Sequence, residues 1–132
     1  MNTNKFIVEK VSPFDVATTV EKLISESTKR EWTNPATHNF QQSLAKSGKE
    51  IRAVQVVEIC KPEYSGKMLE KNDERIVSVF MPCRISVYEK EDGKTYVAFM
   101  NTNSMSEGML PSVIEAMQHV YNEMSEIVDS VI

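Results

Sequence analysis

Cys83-Arg84-Ile85-Ser86-Val87-Tyr88-Glu89, then Asp92-Gly93, then Lys94-Thr95-Tyr96-Val97-Ala98-Phe99-Met100 is the stretch that decides the fold. Its first seven residues alternate. Cys83, Ile85 and Val87 share one side, and Arg84, Ser86 and Tyr88 share the other. A period of two marks a strand with one face turned to a core. Asp92-Gly93 is a hairpin signal, because glycine accepts the positive φ that tight hairpin turns need. Lys94 to Met100 is then the returning strand, with Val97 and Phe99 opposed to Tyr96, Ala98 and Met100.

Working outward, Lys5 to Val11 is rich in β-branched and aromatic residues and reads as a first strand. Ser12-Pro13 supplies an N-cap and first-turn proline for a helix over 13–30, with Phe14, Ala17, Val20, Leu23 and Ile24 at helical spacing. Thr33-Asn34-Pro35 stops it. Thr37 to Phe40 suggests a short strand, and 42–46 a helical turn closed by Gly48. Ile51 to Cys60 is an unbroken strand pattern, mixed on both faces. Pro62 opens a short helix, Glu63 to Lys71, ended by Asn72-Asp73, and Ile76 to Met81 reads as another strand before Pro82. After a polar loop, 101–106, comes the clearest periodicity in the chain: Leu110, Val113, Ile114, Met117, Val120, Tyr121, Met124, Ile127, Val128 and Val131. This order predicts one α+β domain over 1–132, a mainly antiparallel sheet with two main helices on one face.

Composition narrows the functional classes. A length of 132 residues, with 41% hydrophobic and 26% charged, suits one ordinary globular core. A net charge of −4 disfavours sequence-independent binding to nucleic acid, which draws its affinity from phosphate neutralisation. No apolar run approaches the roughly 18 residues of a membrane span. The N-terminus shows no signal-peptide pattern, so the expected location is cytoplasmic and Cys60 and Cys83 are expected as reduced thiols. The eight methionines read as flexible core filler.

Three segments carry a family likeness: Val57-Glu58-Ile59-Cys60-Lys61-Pro62, then Met81-Pro82-Cys83-Arg84-Ile85-Ser86-Val87-Tyr88-Glu89, then Asp92-Gly93-Lys94-Thr95-Tyr96-Val97. Together with Trp32 they resemble a bacterial and archaeal family known as domain of unknown function 302. That pattern has a glycine before the tryptophan, where this chain has Glu31. The resemblance implies a topology similar to that of the TATA-binding protein and a homodimer. It implies no activity and no cofactor, and a shared topology is no warrant for DNA binding.

Two candidate surfaces follow. Tyr88, Tyr96 and Met100 lie on the sheet face away from the helices, which is too apolar to be wholly wetted and reads as a partner surface. Glu58, Cys60, Cys83 and Arg84 form the other constellation, a candidate thiol, small-ligand or transition-metal site in which Arg84 would favour a thiolate. If the helix after Cys60 is a crossover between parallel strands, both thiols come to one sheet end; a long hairpin connection is expected to separate them. His38 and His119 are too isolated to read as ligands. No triad, paired-carboxylate, P-loop or Cys-x-x-Cys pattern is present. The preferred reading is a non-enzymatic dimeric module that binds a partner or small molecule. The alternative is a thiol-dependent or transition-metal-binding protein acting through Cys60 and Cys83.

Overall fold

The computed structural model describes residues 2–3, 5–70 and 72–132. Its element order is β1 (Asn2–Thr3), β2 (Ile7–Ser12), α1 (Val16–Lys29), β3 (Thr37–Asn39), α2 (Phe40–Ala45), β4 (Val54–Ile59), α3 (Pro62–Leu69), a 3-10 helix (Asn72–Phe80), β5 (Cys83–Glu89), β6 (Thr95–Met100), α4 (Thr102–Met105) and α5 (Pro111–Val131). The sheet order is β1-β2-β6-β5-β4-β3, every pair antiparallel. No helix among the described residues is long and apolar enough to cross a membrane.

The predicted alternation sets the two faces. Val57, Ile85, Phe99 and Val8 are cross-strand neighbours in one row, and all four are buried. Beside them Val87 pairs with Val97. Helix α5 covers this side with Val113, Met117, Val120, Met124, Ile127 and Val128, and α1 with Val16, Val20 and Leu23. The opposite face shows Ile7, Glu9 and Val11 of β2, Tyr96, Ala98 and Met100 of β6, Arg84, Ser86 and Tyr88 of β5, and Val54, Val56 and Glu58 of β4. Among the described residues no helix covers that face as α1 and α5 cover the other, and Ile7 and Val11 are exposed on it.

Three expectations are corrected. Ile76 to Met81 is not a strand. Ile76 and Val79 are 74% and 72% exposed, while Val77 is buried and Phe80 packs on the core. That inside-outside period of three fits a 3-10 turn, where residues three apart eclipse. No crossover therefore separates β4 from β5: the segment between them is a long hairpin connection and the two strands pair directly. Helix α1 starts later than 13, because Asp15 takes the capping role, accepting from the Thr18 amide at 2.8 Å. Ser12 instead ends β2 and shares a buried 2.7 Å hydrogen bond with Thr19, pinning strand to helix. Lastly, the polar loop at 101–106 contains α4, tied to α5 by the Thr102 hydroxyl donating to the Met117 carbonyl.

The turn that delivers Trp32 to the core has an unusual residue. The Trp32 amide bonds the Ser27 carbonyl and the Glu31 amide bonds that of Thr28, the double bond of a Schellman helix end. Glu31 sits in the left-handed region, at φ 67°. A side chain there costs about 1–2 kcal/mol. Glu31→Gly removes that strain but adds unfolded-state freedom, for an expected net gain of about 0.5–1 kcal/mol. The urea midpoint should rise at unchanged slope, whereas Lys29→Gly inside the helix should lower it.

Candidate functional site

The structure divides the Glu58, Cys60, Cys83, Arg84 constellation. In the β4–β5 register Ile59 faces Cys83 and Glu58 faces Arg84. The last residues of β4 thus meet the first of β5, because antiparallel neighbours bring one strand's end to the next strand's start. The thiols converge through the hairpin connection, the arrangement that was expected to part them. Both line one cavity of about 30 Å³ with Trp32, Tyr64, Met68 and Met81. Glu58 and Arg84 are on the other side of the sheet. Glu58 bonds the His38 imidazole at 2.9 Å, and Arg84 is exposed.

Arg84 does not activate a thiolate. Burial pushes the Cys83 thiol up to about 11, the nearby Cys60 adds to this, and the Arg84 charge offsets only part of it. Cys83 is a thiol at neutral pH. Among the described residues no three His, Cys, Asp or Glu side chains converge as a zinc-type centre needs.

Beside the cavity is a polar cluster that the sequence did not announce. Glu123 of α5 accepts from the Trp32 indole at 3.0 Å, from the Lys61 ammonium at 2.9 Å and from the Tyr64 hydroxyl. Lys61 also donates to the Arg30 carbonyl at 3.1 Å and lies over the Trp32 and Tyr64 rings. His119 stacks on Tyr64 with ring centroids 5.7 Å apart. Burial alone would raise the Glu123 carboxyl. The bonds from Tyr64, Lys61 and Trp32, with the Lys61 charge, outweigh it and bring the group below its ordinary value. The Tyr64 hydroxyl moves up, through burial first and then its bond to this carboxylate. The signal available in the sequence was the lone tryptophan, whose buried N–H needs an acceptor. Nothing local named Glu123, which is 91 positions away.

On the open face, Tyr88 and Tyr96 are cross-strand partners and stack, centroids 6.1 Å apart. Glu9, only 8% exposed, accepts from the Tyr88 hydroxyl and from Lys90 at 3.1 Å. Lys90 lies 4.0 Å from the Tyr96 ring centroid, and Tyr96 donates to Asp92 at 2.5 Å. Met100 stands opposite Ile7 at the same face. Burial, then the bond to Glu9, raises the Tyr88 hydroxyl, which stays protonated.

The sequence profile of the family described as "Domain of unknown function DUF302" matches residues 8–131. The chain belongs to the DUF302 family. A solved structure titled "Crystal structure of uncharacterized conserved protein DUF302 from Bacillus stearothermophilus" is similar throughout: TM-score 0.85 at 18% identity, over 96% of this chain and 98% of that one. At that identity the likeness shows the shared fold. No curated protein matches the chain. In this DUF302 domain the left-handed residue that leads into Trp32 is Glu31.

Glu123 gives the DUF302 core a pH signature. Its folded value is below the ordinary 4.5, so the unfolded chain takes up the proton first as pH falls. The contribution is whole above about pH 4.5 and is lost on acidification through the folded value. Glu123→Gln should cost about 1–3 kcal/mol at pH 7. Urea midpoints at pH 7 and at pH 3 check this: the gap between variant and wild type should narrow in acid.

Proposed function

We propose that this DUF302 domain is a non-enzymatic binding module, acting in a reducing compartment such as the cytoplasm, that pairs with a second copy of itself through the open sheet face. One observation carries the reading: among the described residues, Ile7, Val11, Val54, Val56, Ala98, Met100 and the Tyr88–Tyr96 pair share one sheet face that no helix covers as α1 and α5 cover the other. Exposed surfaces of this kind mark interfaces. The family resemblance supplies the expectation of a homodimer.

The chemistry of the face supports self-association. Its two carboxylates already have partners, Glu9 with Tyr88 and Lys90 and Glu58 with His38, so covering them strands no naked charge. Association edge to edge is disfavoured, because the outer strands β1 and β3 have two and three residues. A face-to-face pair related by a two-fold axis uses the same patch twice. Val56, midway along β4 with Ser86 on one side and His38 on the other, is the position to test. Sedimentation of the wild type should give a dimer and Val56→Lys a monomer, with unfolding midpoints within a few degrees of each other. A clean wild-type monomer at high concentration removes the reading.

A second reading, a function centred on Cys60 and Cys83, is favoured by their sharing one cavity. At about 30 Å³ that space is an order of magnitude below an organic ligand pocket. Both thiols should react with a chromogenic disulfide in the native chain, Cys83 the more slowly below its value near 11. Reaction only after unfolding would make them plain core residues.

A further inference from the structure

Four sulfur-bearing side chains from four successive pieces of the chain meet at one place. Cys60 follows β4, Met68 is in α3, Met81 is in the connection before β5, and Cys83 begins β5; all line the cavity beside Trp32. Scattered methionines are ordinary filler, but two thioethers lining one small cavity with two thiols are a soft-donor set. We propose that this cavity binds one soft monovalent cation, of the copper(I) or silver(I) kind, between the sulfurs of Cys60 and Cys83, with Met68 and Met81 as further ligands. Such a site is the cysteine-centred reading above, narrowed to one chemistry.

Three observations choose this class of ion. The volume, about 30 Å³, suits a single bare ion and excludes a hydrated one or an organic chelate. Four of the lining residues carry sulfur, and none is a His, Asp or Glu. Glu58, the nearest carboxylate in sequence, is on the opposite face and bonded to His38, and no third His, Asp or Glu joins the thiols among the described residues. A zinc-type dication, which takes four nitrogen, oxygen or thiolate ligands, is left short; a soft monovalent ion is satisfied by thiolates and thioethers. Finally, a cation is close by, the Lys61 ammonium, itself paired with Glu123. Binding breaks two S–H bonds, sends both protons to solvent and forms two metal–thiolate bonds, the two neutral thioethers adding their lone pairs, with no change in oxidation state. The resulting centre carries one negative charge, and Lys61 is among the residues lining the same cavity.

Trp32, the chain's single tryptophan, lines the cavity and reports on it. Silver(I), which keeps its valence in air, is the probe. The reduced full chain is titrated with silver nitrate, following Trp32 emission and counting bound ions by native mass spectrometry. The expected result is quenching that saturates at one ion per chain, with zinc(II) failing to compete at equal concentration. Cys60→Ser with Cys83→Ser should abolish saturable binding. Met68→Leu with Met81→Leu, near in volume and checked for folding by circular dichroism, should leave both thiols titratable yet weaken silver binding about tenfold or more. Undiminished affinity in the leucine pair overturns the four-sulfur site while leaving the cysteine reading standing. Undiminished affinity in the serine pair overturns both, as does preference for zinc(II).

Discussion

The row Val57–Ile85–Phe99–Val8 must stay dry, and the rest of the molecule is arranged around that requirement. It crosses four strands on one side of the sheet, so one amphipathic helix of 21 residues, α5, can seal it with help from α1. Because the strand period is two, fixing this row inward fixes Arg84, Ser86, Tyr88, Tyr96, Ala98 and Met100 outward. The open face is thus a by-product of the closed one. What is specific to this chain is that the outward set retains valines, tyrosines and a methionine where a solvated sheet would carry charges.

Two carboxylates are handled in the same way on the two sides of the sheet. Glu123 takes a tyrosine hydroxyl and a lysine ammonium, and that lysine lies over aromatic rings. Glu9 also takes a tyrosine hydroxyl and a lysine ammonium, and its lysine lies over Tyr96. In each case a carboxylate with little access to water is met by donors, and the cation lies over a ring.

Legibility from the sequence followed interaction range. The β5–β6 hairpin and α5 were readable because their information is local: strict alternation around Asp92-Gly93, and a helical stripe repeated over five turns. The segment Ile76 to Met81 misled because a short β-branched run without clear alternation suits a strand or a packed 3-10 turn, and only the burial of Val77 with Phe80 separates them. Losing that strand decided between the two connections weighed, in favour of the hairpin. The two cysteines came together all the same, since the end of β4 and the start of β5 are neighbours in an antiparallel pair. The Glu123 cluster was invisible because its members come from α1's exit turn, the start of α3 and the middle of α5, and no local pattern links them.

The pairing of β2 with β6 has a consequence for how the chain is made. Ile7 to Ser12, produced early, have no sheet neighbour on that side until Thr95 to Met100 have been produced, and the shared core stays uncovered until α5 follows. Closure therefore waits for nearly the whole polypeptide, with large loop-closure entropy to overcome first. During synthesis the nascent β2 and α1 carry their apolar sides unprotected, so the emerging chain depends on prompt completion, or on a chaperone's shelter, more than its small size suggests.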